Sequence, residues 1–264
     1  MNTLLLRLAG PMQAWGTQSR FTIRDTGLEP SKSGVIGLLC AALGKPRDEA
    51  HSDNRGKPTL AELAALRMGV RVNREGSPYC DYHTVGGEHR HDRTYGVVKS
   101  DGSAPSQSSQ NSKFTVVSWR HYLADADFLV GLESEDDALL RRLDEALAAP
   151  CWQLFLGRKS FVPSLPVRLP DGLRMNTTLE VALQSVNWPM DKRGEPLPRL
   201  RRVLEILPDS PDVDGAHEVR HDWPLSFAER RFTLRQVRTD WIFHQTGGAN
   251  EIESIPLSTD PQST

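Results

Sequence analysis

The 264-residue sequence predicts an α+β protein, and three observations predict that class. A short apolar run over residues 3–8, stopped by Gly10 and Pro11, is typical of a strand. Apolar residues recur at helical spacing over 35–43 and again over 138–147. Between these two helices the sequence alternates apolar and polar residues, as half-buried strands do. Strands and helices are therefore mixed along one chain.

The first helix has a start signal and a stop signal. Ser31 or Ser33 can serve as its N-cap, and Gly44 stands where a C-terminal cap belongs. Gly34 lies in the first turn, where glycine costs about 1 kcal/mol relative to alanine. One interpretation is close packing of this helix on a sheet. The other is a phosphate site, because free amides at a helix start favour an anion and Lys32 lies beside them.

The loop between the strand at 3–8 and the first helix spans residues 10–29, which is long for a compact domain. Loops of this length are usually functional. This loop is rich in groups that stack or form hydrogen bonds: Gln13, Trp15, Gln18, Arg20, Phe21, Arg24 and Asp25. Trp15 can equally cover an edge of the core.

The middle of the sequence predicts a short helix, several strands and another helix. Thr59 and Glu62 form a capping box that opens a helix through Leu66. Ser134 is the predicted N-cap of an amphipathic helix that contains Leu143. Strand patterns occur over 68–74, 81–85, 114–123 and 127–132.

One further strand, at 151–156 or in a later segment, completes a βαββαβ order. The prediction is a ferredoxin-like domain over residues 1–165. Strand patterns at 177–186 and 232–237, separated by proline-rich loops, then predict a small β-rich C-terminal domain over 166–245. Residues 246–264 are predicted to be a flexible tail.

Composition restricts the function classes. The sequence has 32 Lys and Arg against 34 Asp and Glu, which gives a net charge of -2 and argues against a globally basic nucleic-acid-binding protein. A local basic face is still possible, because acidic residues gather in segments such as 133–137. Cys40, Cys80 and Cys151 form no C-x-x-C pair, so we expect neither a disulfide framework nor a cysteine zinc site, and a reducing cytosol suits them.

Histidines suggest two kinds of chemistry. His83, His89, His91 and Asp92 include potential metal ligands, but no regular element fixes their geometry, so we expect no metal and no cofactor. Tyr82 beside His83 can serve acid–base ribonuclease chemistry, or the two rings can stack on bases or fill an edge of the core.

Two blocks favour binding of single-stranded RNA. Residues 156–160 combine a glycine with Arg158, Lys159 and a hydroxyl, which suits a turn that contacts phosphate. Trp119 and Arg120 lie in a second block, 119–122, which is aromatic and basic. Stacking and positive charge together are typical of single-stranded RNA recognition.

Five blocks carry a family resemblance: LRLAGPMQAWG at 6–16, TG-x-x-PSKSGVIGLL-x-AALG at 26–44, DYHTV at 81–85, WRHYLADADF at 119–128 and LGRKS at 156–160. A looser match is FAERRF at 227–232. In these blocks the sequence resembles the Cas-five family of CRISPR-associated proteins, within the RAMP superfamily, and specifically its type I-E Cascade members.

The resemblance implies a ferredoxin-like (RRM-like) domain with a protruding thumb hairpin over about 86–113, which would carry Arg90, Arg93 and Lys99. From the residues alone, this polar span is either a plain flexible loop or an arm that orders on a partner. The resemblance also implies a non-catalytic Cascade subunit that binds the 5′ handle of CRISPR RNA and contacts the CasC backbone subunit and the large CasA subunit. It would support recognition of target DNA. Because relatives of type I-C cut the precursor RNA, an endoribonuclease that uses Tyr82 and His83 is the alternative.

The predicted RNA-binding residues form two groups. Those expected to hold phosphates are Arg24, Ser31, Lys32, Ser33, Gly34, Arg158 and Lys159. Those expected to stack on or position bases are Tyr82, His83, Trp119 and Arg120.

Overall fold

A computed structural model of the protein describes residues 1–18, 22–86, 115–207 and 217–244. In these residues the strands are β1 (Asn2–Ala9), β2 (Met12–Gln13), β3 (Ile23–Arg24), β4 (Arg67–Arg74), β5 (Ser77–Gly86), β6 (Thr115–Ala124), β7 (Asp127–Ser134), β8 (Arg168–Arg174), β9 (Arg199–Ile206), β10 (Glu218–Ser226) and β11 (Arg231–Phe243). The α-helices are α1 (Lys32–Ala42), α2 (Leu60–Ala65), α3 (Asp137–Ala148) and α4 (Leu179–Ser185), with a 3-10 turn at Ser52–Asn54. The predicted α+β class is confirmed.

Seven strands form one sheet in the order β10-β11-β9-β4-β7-β1-β8. Every neighbouring pair in this sheet is antiparallel. β1 lies inside the sheet, and Leu4, Leu5 and Leu6 are all fully buried. Burial on both faces explains why β1 reads as a continuous apolar run and does not alternate.

Each face of the sheet has its own core. On one face Leu4, Leu6 and Phe128 belong to a large cluster with α1, α2 and α3. On the other face Leu5 and Leu129 pack against α4. The protein is therefore layered, with helices on both sides of a mostly antiparallel sheet.

Two sheet glycines allow α4 to lie close to the strands. A Cβ atom at Gly131 would lie 2.5 Å from Leu179 Cδ1, and one at Gly69 would lie 2.9 Å from Leu183 Cδ1. A larger side chain at either position would push the helix away from the sheet.

A second sheet carries the long β5–β6 hairpin. β6 pairs with β5 along one edge, and with β2 and β3 along the other. The ladder of β5 and β6 runs out to Gly86 opposite Thr115. At its base, Tyr122 stacks on Tyr79 with ring centroids 6.0 Å apart and contacts Phe161, which is part of the large core cluster.

Several element predictions are confirmed. The N-cap of α1 is Ser31, whose side chain accepts a hydrogen bond from the Gly34 amide. Thr59 and Glu62 form the capping box of α2. The strands predicted at 68–74, 81–85 and 127–132 correspond to β4, β5 and β7.

Two element predictions are wrong. The N-cap of α3 is Asp136, which accepts from the Leu139 amide, because Ser134 is still the last residue of β7. Residues 177–186 are not a strand but contain α4, because Leu179 and Leu183 lie on one helix face that packs on the sheet.

Residues 151–156 are also not a strand. The amides of Cys151 and Trp152 bond to the carbonyls of Ala42 and Ala41 at the end of α1. The strand beside β1 is the later segment β8.

Strands beyond the predicted boundary at residue 165 join the same sheet as β1, β4 and β7. The predicted thumb residues Arg90, Arg93 and Lys99, the loop residues Arg20 and Phe21, and the predicted tail lie outside the described residues. Within the described part of the chain, no helix is long and apolar enough to cross a bilayer.

A buried charge network joins α1 to the C-terminal strands. Lys32 Nζ lies 2.7 Å and 2.9 Å from the two carboxylate oxygens of Glu205 and 3.6 Å from the centre of the Trp223 ring. Asp222 accepts a hydrogen bond from the Lys32 amide at 2.7 Å and is paired with Arg235. Burial lowers the pKa of Lys32 to about 8, against the opposing effect of Glu205.

Replacing Lys32 should destabilise the fold, because Glu205 would remain buried without its main cation. We expect Lys32→Met to lower the free energy of unfolding by about 3 to 5 kcal/mol in urea denaturation. The control is Lys159→Met, at an exposed lysine, with an expected change within about 0.5 kcal/mol. Equal stability of the two variants would contradict a structural role for the Lys32–Glu205 pair.

Candidate nucleic-acid interface

The start of α1 is occupied by the protein's own side chains. Lys32 has no exposed surface, and its amide donates to the carboxylate of Asp222. The Gly34 amide donates to the Ser31 hydroxyl at 3.3 Å, and a Cβ at Gly34 would lie 2.9 Å from the Trp15 ring. Lys32, Gly34 and the Ser31 hydroxyl are therefore engaged within the protein, which favours the packing interpretation of this helix start. A phosphate contact by Ser33 stays a prediction.

The β5–β6 hairpin presents an aromatic face. Tyr82 lies directly opposite Trp119, and the two rings meet edge to face with centroids 5.7 Å apart. Tyr82 is 62% exposed and Trp119 is 45% exposed. Ile23 of β3, also exposed, lies beside Trp119 in the parallel ladder. We call Ile23, Tyr82 and Trp119 the aromatic face of the hairpin.

The opposite side of the hairpin carries positive charge. Arg120 is the neighbour of Arg24 in the β3–β6 ladder. The guanidinium of Arg158 donates to the carbonyl of His121 at 2.8 Å and to that of Arg24 at 3.4 Å. We call Arg24, Arg120 and Arg158 the arginine face; it lies opposite the aromatic face because side chains alternate along a strand.

Arg24 and Arg120 lie close enough to Arg158 for their positive charges to repel it. Burial lowers the pKa of Arg158, and the charges of Arg120 and Arg24 lower it further, while the charges of Asp81 and Asp25 oppose them. Among the described residues, no carboxylate forms an ion pair with any of the three arginines. A bound anion would relieve their mutual repulsion, which makes this face a candidate phosphate site.

Tyr82 and His83 are adjacent on β5 and lie on opposite faces of the hairpin. His83 lies opposite Ser118, whereas Tyr82 lies opposite Trp119, so the two rings project from opposite faces of the hairpin. The Nδ1 atom of His83 lies 3.7 Å from Oδ2 of Asp81, on the same face of the strand. A general acid and base must reach the same reacting group, and these two side chains do not converge on one.

The turn that carries Arg158 and Lys159 is fixed by Gly157. Its φ of +94° is open mainly to glycine, and a Cβ there would overlap the carbonyl oxygen of Ala14. The Ala14 amide bonds to the Leu156 carbonyl at 3.1 Å, which joins the turn to the loop after β1. Lys159 is exposed on this turn.

Two features of the site were missed by sequence reasoning. Asp222, which occupies the helix start, lies far from it in sequence and gives no local signal. Asp81 shares a face with Arg120 and His83, and the period of two in the DYHTV block could have separated it from Tyr82.

In the described ranges no three His, Cys, Asp or Glu side chains gather as metal ligands. His89, His91 and Asp92 lie outside those ranges.

The fold and the hairpin define a class: an α+β protein on a mostly antiparallel sheet, with arginine and aromatic faces whose chemistry suits a nucleic acid. Comparison with known proteins gives the family. The family model described as CRISPR-associated protein (Cas_Cas5) matches residues 3–238. The chain belongs to this Cas-five family, as the sequence blocks predict.

Three relatives illustrate the similarity. CRISPR system Cascade subunit CasD of Escherichia coli (strain K12) is 36% identical over 161 residues, a stretch that covers 60% of this chain and 65% of the E. coli protein. A solved structure described as a Cas protein is 38% identical, with a TM-score of 0.63, and the match covers 91% of this chain and 95% of that one. A chain of a CRISPR RNA-guided surveillance complex is 33% identical, with a TM-score of 0.67, and the match covers 91% of this chain and 90% of the other.

Gly157→Ala should displace the turn that carries Arg158. Gly194→Ala is a matched control, since Gly194 also has a positive φ, +81°, but open space around it. We expect the control to cost about 1 kcal/mol of stability from backbone strain alone. The overlap with Ala14 should make Gly157→Ala about 1 to 3 kcal/mol worse in urea denaturation. Equal losses would show that the close approach to Ala14 is unimportant.

Proposed function

We propose that the chain is a subunit of a type I-E CRISPR Cascade complex that binds the 5′ handle of CRISPR RNA and does not cut it. In this role it caps one end of the complex backbone and supports recognition of target DNA in antiviral defence. Membership of the Cas-five family and similarity to a chain of an RNA-guided surveillance complex support the proposal. The observation that carries it is the arginine face, which gathers three guanidinium groups without a carboxylate partner among the described residues.

The two faces of the hairpin suggest how RNA binds. Phosphates would lie on the arginine face and beside Lys159, while bases would stack on Tyr82 and Trp119. In the described residues β5 pairs only with β6, and a single strand of RNA would pass over the other edge of β5 from one face to the other. His83, on the side of Arg120, would position the RNA and not cut it.

We also propose a ferredoxin-like arrangement for the N-terminal part. Support comes from the strand order β4-β7-β1-β8, with α1 after β1 and α3 after β7, which is the βαββαβ pattern with a hairpin inserted. β5 and β6 would then form the base of the predicted thumb. The thumb itself and the division at residues 165 and 245 stay predictions.

The partners stay proposals as well. The CasC backbone subunit, the large CasA subunit and target DNA are those that the family resemblance implies, and no cofactor is proposed. The matched stretch spans 65% of the E. coli Cascade subunit.

The arginine face makes a quantitative prediction about salt. Arg24→Gln with Arg120→Gln should weaken binding of handle RNA and flatten the slope of log K against log salt by about 1.4, roughly 0.7 for each lost phosphate contact. A fluorescence anisotropy titration at several salt concentrations measures both quantities.

The matched control removes the same two charges from α3, as Arg141→Gln with Arg142→Gln, where both arginines are exposed. It should leave the slope unchanged. If the two double variants gave the same slope, the arginine face would not be the phosphate site.

The endoribonuclease alternative has a direct assay. Purified protein incubated with precursor CRISPR RNA, with or without EDTA, should leave the RNA intact, because Tyr82 and His83 do not converge. Site-specific cutting that disappears in His83→Ala would establish the enzyme in place of the proposed binding subunit.

A further inference from the structure

A carboxylate lies on the arginine face of the hairpin. Asp81 of β5 is directly opposite Arg120 in the β5–β6 ladder, so the two side chains project from the same side of the hairpin. The Asp81 side chain is 56% exposed. Its charge also reaches Arg158, where it opposes the lowering of the pKa of that guanidinium. A negative group therefore stands inside a site that otherwise suits phosphates.

Asp81 is not neutralised by the arginines around it. Among the described residues, no lysine or arginine forms an ion pair with Asp81. Arg120 directs its Nε to the Ser118 hydroxyl at 3.0 Å, and Arg158 donates to a backbone carbonyl at 2.8 Å. The Nδ1 atom of His83 is 3.7 Å from the Asp81 carboxylate, which is longer than a hydrogen bond. The carboxylate thus keeps acceptor capacity for a ligand.

The other carboxylate near Arg158 is used within the fold. Asp25 accepts a hydrogen bond from the Gln18 amide at 3.2 Å, and a Cβ atom at Gly16 would lie 2.4 Å from Asp25 Oδ1. Asp25 therefore helps to shape the loop after β1. Asp81 has no comparable backbone contact in the described part of the chain, so its presence on this face needs another explanation.

A carboxylate beside a phosphate site disfavours binding unless the same ligand offers it a hydrogen bond. An ionised carboxylate only accepts, so its partner must be a donor. With bases stacked on Tyr82 and Trp119, the arginine face meets the sugar–phosphate backbone. In the backbone of an internal nucleotide the donor is the ribose 2′-hydroxyl, which RNA has and DNA lacks. A free carboxylate at this place therefore favours ribose over deoxyribose.

We propose that Asp81 determines specificity for ribonucleotides on the arginine face. Its carboxylate accepts a hydrogen bond from the 2′-hydroxyl of one nucleotide of the bound strand, next to the phosphates that Arg120 and Arg158 hold. With DNA the carboxylate has no donor and repels the neighbouring phosphate. This inference rests on the proposed function and deepens it, because it names the chemical group by which the site distinguishes RNA from DNA.

The test combines one variant with a set of modified strands. The full-length wild-type chain and Asp81→Ala are titrated in EDTA, by fluorescence anisotropy, with three kinds of strand: handle RNA, handle RNAs that carry a single 2′-deoxy nucleotide at successive positions, and DNA of the same sequence. For the wild-type chain we expect one deoxy position to weaken binding about tenfold, as loss of a hydrogen bond to a charged group does. In Asp81→Ala that penalty should disappear, and DNA should bind at least as tightly as to the wild-type chain.

Asp53→Ala is the matched control. The Asp53 side chain is also exposed, and its Oδ2 lies 3.7 Å from Nδ1 of His51, but it belongs to the 3-10 turn at Ser52–Asn54 and not to the hairpin. This variant should keep the wild-type pattern of 2′-deoxy penalties.

The outcomes separate the two proposals. Failure of the wild-type chain to bind handle RNA would refute the proposed function and this inference with it. Normal RNA binding with the same 2′-deoxy penalties in the wild-type chain and Asp81→Ala would refute only the role of Asp81. An equal loss of RNA and DNA binding in Asp81→Ala would do the same, because it indicates a structural role. An effect of Asp81→Ala that appears only with Mg²⁺ in place of EDTA would replace the 2′-hydroxyl contact by a cation bridge to phosphate.

Discussion

The buried ion pair between Lys32 and Glu205 is the interaction on which the arrangement of this protein depends. It connects the first turn of α1 to β9, a strand 173 residues further along the chain. Such a pair, taken out of water, persists only with close geometry and supporting hydrogen bonds. Here the cation also lies over Trp223, and Glu205 accepts the Met68 amide at 3.0 Å. The N-terminal strand–helix unit and the C-terminal strands are thereby fixed to each other.

Because Lys32 is engaged in this ion pair, its ammonium group is not available to a phosphate, and the candidate phosphate site lies on the hairpin. Asp222 accepts from the Lys32 amide and the Ser31 hydroxyl accepts from the Gly34 amide, so two of the first amides of α1 already have partners within the protein. The hairpin differs in that its arginines have carbonyl and hydroxyl partners, such as Ser118 for Arg120, but no ion-pair partner in the described chain. The guanidinium groups of the arginine face are therefore available to a negatively charged ligand, whereas the ammonium group of Lys32 is not.

Sequence reasoning succeeded where the signal is local. The capping box at Thr59 and the cap at Ser31 depend on residues three apart, and both are present. It failed where a distant contact decides the outcome. α4 has only seven residues, and its end is held by Arg71, which donates to the carbonyl of Leu183, 112 residues further along the chain. Lys32 was assigned to phosphate because Glu205 and Asp222 cannot be placed beside it from sequence. Tyr82 and His83, by contrast, could have been separated, since adjacent residues of any strand point to opposite faces.

Two pairs of exposed aromatic residues show why exposed rings alone do not identify a ligand. Tyr82 and Trp119 lie on a hairpin whose other face concentrates unpaired arginine charge, while Trp241 and Phe243 lie beside an arginine that Glu29 and Glu75 neutralise. Stacking is similar for a base and for an apolar side chain, so the difference in chemistry comes from the charges around the rings. Binding of a phosphate chain is favoured where guanidinium groups repel one another, because the phosphates relieve that repulsion. Binding is disfavoured where carboxylates are already paired with the guanidinium groups.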